Sequence, residues 1–359
     1  MIFRQLIDPE SKTMTYVIGD PWSRDAVIID PVRELIARDL QTLDELGLKL
    51  VYAIDTHVHA DHVTGAGALR ARTGCKVVSS ESAVDTADLK VGDGDAIQFG
   101  LQVLEVRATP GHTGSCVSFV SATQPKVFTG DALFIRGCGR TDFQEGDSRT
   151  LFRSVRDKIF SLPDETEVYP GHDYKGRTMS TVREERLYNP RLGGGRTESQ
   201  FVAIMDALGL AYPGKMAVAV PANLQSGCTD EDRASDSPPA SEDAWPMYRT
   251  PHGAPNVPVI WVADAGTQVR VVDVRTSEEW TGPDGRIEYA ESVPMDRLVE
   301  AAGRWSANER VVLVCRSGGR SDRAAKELEA RGFKAVASMT GGMLKWRALG
   351  LPIYSGDQG

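Results

Sequence analysis

The chain has little with which to cross-link itself. Its five cysteines, Cys75, Cys116, Cys138, Cys228 and Cys315, are odd in number and none has a close neighbour of its kind. That spacing excludes a disulfide framework and points to a reducing cytoplasm, with one or two thiols at most carrying chemistry. Basic charge is also short. Forty-one Lys and Arg against 50 Asp and Glu leave a net charge of −9, which argues against nucleic-acid binding but allows a local basic patch for a small anion. No apolar run approaches the roughly 20 residues that span a membrane. The first residues, from Met1 to Leu6, lack the pattern of a signal or transit segment. No internal repeat is present. What remains, 41% hydrophobic and 25% charged over 359 residues, is the composition of a soluble globular protein of two or three domains. Self-association is left open.

Histidine is scarce as well, and unevenly placed. Three of the six fall in Thr56-His57-Val58-His59-Ala60-Asp61-His62, directly after the apolar strand-like residues 50–55. His57 and His59 have the two-residue spacing that points both rings to one side of an extended backbone. Imidazole and carboxylate are ligands of zinc and non-haem iron, and one site needs only three of them with positions left open. Further along, His112, Asp131 and His172 each follow an apolar run of strand character. Polar residues collected just past strand ends describe a site built from loops on a rigid scaffold.

Around these motifs the periodicity predicts a hairpin over residues 14–30 and a helix over 33–46 closed by Gly47. A helix is expected at 66–72, a strand at 75–78 and a strand pair at 94–107 turning at Phe99-Gly100. Strands follow at 117–120, 126–129 and 167–169, with a helix at 150–162. Residues 229–257 are acidic and rich in Pro and Ser, with no apolar period, and read as a linker. The domains expected are therefore 1–228 and 258–357. In the second, strands at 269–274, 310–314 and 334–337 alternate with helices at 296–305, 321–331 and 343–349, the pattern of a mainly parallel sheet covered on both faces.

The ordered motifs His57-x-His59-x-Asp61-His62, His112, Asp131 and His172 resemble the metallo-β-lactamase superfamily, which implies an αββα sandwich. Two chemistries follow from that resemblance. Glyoxalase II-like members hold two metals with the whole set and hydrolyse a glutathione thioester. Persulfide dioxygenases bind one iron(II) per chain through positions matching His57, His112 and Asp131. The stretches Ile135-Arg136-Gly137-Cys138-Gly139-Arg140-Thr141-Asp142-Phe143-Gln144 and Glu184-Glu185-Arg186-Leu187-Tyr188-Asn189-Pro190-Arg191 look like the dioxygenase versions. By the same resemblance His59, Asp61, His62 and His172 orient the ligands, and Arg140, Tyr174 and Arg191 hold glutathione, whose two carboxylates suit a pair of arginines. Cys75, Cys116, Cys138 and Cys228 are assigned to packing.

Apolar residues 311–314 deliver Cys315-Arg316-Ser317-Gly318-Gly319-Arg320-Ser321 into a helix. Backbone N–H groups, the helix dipole and Arg316, Arg320 and Arg323 are expected to depress the thiol pKa. The glycines let the loop curl around an anion. With Asp273-Val274-Arg275 upstream and Gly341-Gly342-Met343-Leu344-Lys345-Trp346 downstream, this loop resembles a single rhodanese domain. Four residues lie between Cys315 and Arg320, the sulfurtransferase length rather than the five of tyrosine phosphatases. Gly285-Arg286-Ile287 departs from the Gly-His-Ile frequent in rhodaneses. Together the two resemblances imply a fusion. Glutathione persulfide and dioxygen would become sulfite and glutathione at the first site. Cys315 would move sulfane sulfur between thiosulfate, glutathione and sulfite.

Overall fold

The computed structural model describes residues 1–81, 83–84, 86–210, 214–228, 245–250 and 252–354. Contacts group the chain into two units, one from Met1–Ile36 with Leu50–Pro239 and the other from Ala37–Lys49 with Ala240–Gly359.

The first unit is mixed α/β, with two six-stranded sheets. In the first sheet, β1 (Ile2–Ile7), β2 (Met14–Gly19) and β3 (Asp25–Ile29) form an antiparallel meander. It continues through β4 (Lys49–Ile54), β5 (Lys76–Ser80) and β6 (Leu89–Val91). The second sheet holds β7 (Ala96–Phe99), β8 (Gln102–Ala108), β9 (Val117–Ser121), β10 (Lys126–Gly130), β11 (Glu167–Pro170) and β12 (Ser180–Thr181). Between the sheets, Tyr16, Ile54, Phe119 and Phe128 belong to one buried cluster. Full burial of a side chain such as Phe128 stabilises the fold by about 2–3 kcal/mol. Helices cover the outer face of the second sheet, where Leu151, Ile159 and Phe201 form a separate core with Val127 and Val168.

The hairpin and the strands at 75–78, 94–107, 117–120, 126–129 and 167–169 stand where their patterning places them. The helix expected at 33–46 is a short turn, Arg33–Leu35, followed by Ile36–Glu45. The helix expected at 150–162 begins earlier, at Ser148–Ser154, where the Asp147 side chain caps Thr150 N, and then widens to a π-helical turn over Val155–Ile159. Helices Ala66–Thr73, Val182–Tyr188, Glu198–Asp206 and Met216–Asn223 belong to this unit, whereas Ile36–Glu45 groups almost wholly with the second.

The second unit has one mostly parallel sheet, ordered β13-β14-β18-β17-β15-β16. Its strands are β13 (Tyr248–Arg249), β14 (Pro255–Val257), β15 (Arg270–Asp273), β16 (Glu291–Ser292), β17 (Val311–Val314) and β18 (Val336–Met339). Only the β13–β14 pair is antiparallel. Two apolar clusters, around Val312, Val314 and Trp346 and around Leu313, Ala324 and Leu328, back the two faces. Alternate residues of β17 feed opposite clusters, as the two-residue period of a strand requires. Part of the stretch read as linker is strand: β13 and β14 join this sheet, while residues 229–244 lie outside the described residues.

Candidate active sites

Four strand ends converge in the first unit. β3 delivers Asp30, β4 delivers residues 55–62, β10 delivers Asp131 and β11 delivers His172. His112 comes from the loop between β8 and β9. His57, His112 and Asp131 each present one ligand atom within 4.8 Å of the other two. The rings of His57 and His112 stand nearly perpendicular with centroids 4.9 Å apart.

Hydrogen bonds fix which nitrogen each of these rings offers. Thr56 Oγ1 has a single proton, which it donates to the carboxylate of Asp30 at 2.9 Å. Its oxygen must then accept from His57 Nδ1, also 2.9 Å away, leaving the Nε2 lone pair for the site. His112 Nδ1 lies 2.7 Å from the Arg140 carbonyl, an acceptor only, so Nδ1 carries the proton and Nε2 the lone pair. That Nε2 is 3.5 Å from Asp131 Oδ2. Burial, with His59 and His112 nearby, pushes the His57 pKa well below the usual imidazole value, which keeps the ring neutral and able to ligate.

His59 is held differently. Its Nε2 is 3.1 Å from Asp30 Oδ1 and 4.0 Å from Asp55 Oδ1. Burial opposes a charge on this ring, but the Asp30 and Asp55 carboxylates outweigh it and raise the pKa to about 10. Asp30 also accepts from Thr56 N at 2.7 Å, so one carboxylate steers both histidines. His62 Nδ1 lies 3.1 Å from Asp61 and 3.2 Å from Thr13. His172 Nε2 lies 3.6 Å from both Asp61 and Asp131. His59, Asp61 and His172 form a second group whose ligand atoms lie within 4.8 Å of one another. Four buried atoms here, His59 Nδ1, His62 Nε2, His172 Nδ1 and Asp131 Oδ1, have no hydrogen-bond partner among the described residues. Of these, Asp131 Oδ1 and the Nε2 of His62, whose Nδ1 faces the Asp61 carboxylate, are desolvated acceptors, which fits a metal cofactor.

The triad opens into a cavity of about 470 Å³ whose wall includes Arg140, Tyr174 and Arg191. Tyr174 is two-thirds exposed and lies parallel to the His172 ring at 5.9 Å. Arg140 donates two hydrogen bonds to Asp142 and covers the Phe143 ring. Arg191 donates to the Cys138 carbonyl at 2.9 Å.

Several supporting residues carry no periodic signal, and Glu185 and Asn189 are marked only by lying within the stretch 184–191. Asn223 donates to the carbonyls of His59 and His62 and accepts from Thr64 N, pinning the histidine loop. Fully buried Glu185 accepts from Arg136 N, Ser180 Oγ and Asn189 Nδ2, and also pairs with the Arg136 guanidinium. Asn189 donates to the Gly137 carbonyl and accepts from the backbone N–H of Arg191 and Leu192. The motif 184–191 thus anchors the loop whose Arg140 carbonyl orients His112. Asp30 had a signal of its own: it ends a strand, as the other polar residues of the site do. Cys75, Cys116 and Cys138 are buried, and burial raises their pKa values to about 12, 12 and 11.

In the second unit Cys315 follows β17. Gly318 N–H donates to its Sγ at 3.2 Å, and Ser321 Oγ lies 3.4 Å from it. Burial pushes this thiol up, but hydrogen bonds from the Ser321 hydroxyl and from the backbone of Ser321, Ser317 and Arg320 outweigh it, and the net shift is downward. Gly318 has φ +99°, a conformation that suits glycine. Asp273, at the end of the neighbouring β15, forms a buried bidentate pair with Arg275. Arg316 and Arg320 flank the loop, each paired with a carboxylate.

A metallo-beta-lactamase superfamily profile matches residues 10–172, and a rhodanese-like domain profile matches 261–349. Over 228 residues the chain is 54% identical to persulfide dioxygenase ETHE1, mitochondrial, of Mus musculus and 53% identical to that of Homo sapiens. Each alignment covers 63% of this chain and 89% of the relative. The crystal structure of ETHE1 from Myxococcus xanthus matches with a TM-score of 0.62 at 51% identity, covering 64% of this chain and 100% of that one. Among the described residues no helix is long and apolar enough to cross a membrane.

Proposed function

Because the chain belongs to the persulfide dioxygenase family and also carries a rhodanese domain, we propose that it performs two sulfur reactions. In the first, glutathione persulfide, dioxygen and water become glutathione and sulfite with release of protons. His57, His112 and Asp131 would hold one iron(II), the three-ligand set that leaves open positions for substrate sulfur and dioxygen. The observation that carries this reading is the orientation of the triad. Thr56 and the Arg140 carbonyl each take one ring N–H, which leaves His57 and His112 each an Nε2 lone pair in a cavity whose wall they share with Asp131. Arg140 and Arg191 supply cations for the carboxylates of glutathione, and Tyr174 supplies an aromatic face at the mouth.

In the second reaction the Cys315 thiolate attacks the sulfane sulfur of thiosulfate. A new S–S bond forms, the old one breaks, and sulfite leaves. Glutathione thiolate then takes the outer sulfur and regenerates Cys315. The hydrogen bonds that depress this thiol's pKa support that role. None of the five cysteines is joined in a disulfide, which supports a reducing, cytoplasmic setting.

Oxygen uptake by iron(II)-loaded protein with glutathione persulfide, measured beside metal content, tests the first site. Uptake with one iron per chain is expected. The second group, His59, Asp61 and His172, favours an alternative dinuclear zinc hydrolase of glutathione thioesters. Two metals, no oxygen uptake and thioester cleavage would establish that alternative instead.

A further inference from the structure

Two of the arginines beside Cys315, Arg316 and Arg320, are paired with acids of the chain itself. Arg320 opens the helix Gly319–Ala330 and donates two hydrogen bonds to Glu279, each 2.6 Å. Arg320 lies close enough to Cys315 for the two to interact electrostatically. Arg316 Nε donates to Asp284 Oδ2 at 2.9 Å, and Arg347 donates to Oδ1 of the same carboxylate at 2.8 Å. Both acids come from one short segment, the helix Ser277–Trp280 and the turn that leaves it.

Glu279 is fixed twice over. It closes the capping box of its own helix, with Thr276 N donating to Oε2 and Glu279 N donating to the Thr276 hydroxyl, each at 3.3 Å. Arg320 draws its pKa down to about 2, so it stays ionised at any working pH. The pair is still reachable from solvent, at 31% exposure for Arg320 and 30% for Glu279. The thiol, by contrast, is addressed by uncharged donors, Gly318 N–H and Ser321 Oγ.

We propose that Glu279 and Asp284 determine specificity at the Cys315 loop by holding its guanidinium groups against small inorganic dianions. A dianion such as thiosulfate must displace a carboxylate to gain a cation. A sulfane sulfur borne on an organic thiol, with its charges elsewhere in the molecule, needs only the backbone donors at the sulfur. The substrate class favoured is therefore the organic persulfide and thiol pair. This rests on the sulfurtransferase reading above.

The test uses inorganic sulfate as a probe that binds without reacting. Alkylation of Cys315 by iodoacetamide is followed in the full chain by mass spectrometry, each protein scaled to its own rate without sulfate. In Glu279→Gln the half-protecting sulfate concentration is expected to fall about fivefold, the equivalent of one lost competing ion pair of about 1 kcal/mol. Glutamine keeps the capping acceptor, so the helix start survives. In Asp284→Asn a drop of about threefold is expected from the more exposed arginines, which also covers the case in which the first variant misfolds. Unchanged or higher half-protecting concentrations, or no protection in any of the three proteins, overturn the proposal. Sulfur transfer from thiosulfate to cyanide is measured alongside, with KM for thiosulfate expected to fall in Glu279→Gln while kcat is kept. Because sulfate protection needs no turnover, shifted protection without any transfer keeps the gate and rejects the sulfurtransferase reading alone.

Discussion

Thr56 has one hydroxyl proton, and giving it to Asp30 decides which nitrogen of His57 faces the cavity. Thr56→Val keeps the shape and removes that acceptor. Metal affinity should fall about 10–100-fold, measured by chelator competition, and Thr56→Ser should restore it. Equal affinity in the valine variant would dismiss the relay. At Cys315 the depressed pKa has a sign that can be read directly. The thiolate forms at lower pH than an ordinary thiol's, so alkylation should rise with pH through a midpoint below that of a free cysteine. Ser321→Ala should move the midpoint upward, and a midpoint at or above that of free cysteine would contradict it. The ligands themselves were legible because His and Asp in close spacing have few other uses. Asp30 showed its place at a strand end but not its partners, which lie 26 and 29 residues onward, a separation no local period encodes.

The loop after β10 shows how an element can be positioned by another that never touches substrate. Glu185 and Asn189, on and just after one short helix, take up the backbone of Arg136 and Gly137 and fix the start of Arg191. Asn189→Ala should cost about 1–3 kcal/mol of stability by stranding buried polar groups. It should also raise KM for glutathione persulfide more than it lowers kcat. Denaturant unfolding and oxygen-uptake kinetics check both, and an unaltered KM would argue against the clamp. Gly139 shows the same tightness, since a Cβ there would sit 2.7 Å from His112 Nδ1. Elements with a clear apolar period were legible. Met216–Asn223 was not, because it is apolar almost throughout and carries Pro221 inside, so no stripe marks its buried face. The two-residue β13 and three-residue β14 are too short to show alternation, which is why the linker boundary was drawn past them.

At the scale of the whole chain, the order of two folds was readable because each carries a chemical signature between strands of ordinary pattern. Two reactions on separate residues should be separable. Cys315→Ser is expected to abolish thiosulfate-dependent transfer and leave oxygen uptake with glutathione persulfide unchanged. Asp131→Asn should do the reverse, with uptake reduced at least about 100-fold. Loss of both activities in either variant would refute the two-site reading. The desolvated His59, His62, His172 and Asp131 atoms reach beyond catalysis. Each orphan polar atom costs about 1–3 kcal/mol until something binds it, a sizeable share of a fold whose net stability is about 5–15 kcal/mol. A cofactor that satisfies them is also a folding ligand. The expected consequence is that in a cell starved of such a metal the newly made chain falls to proteases and its abundance follows the metal supply with transcription held constant.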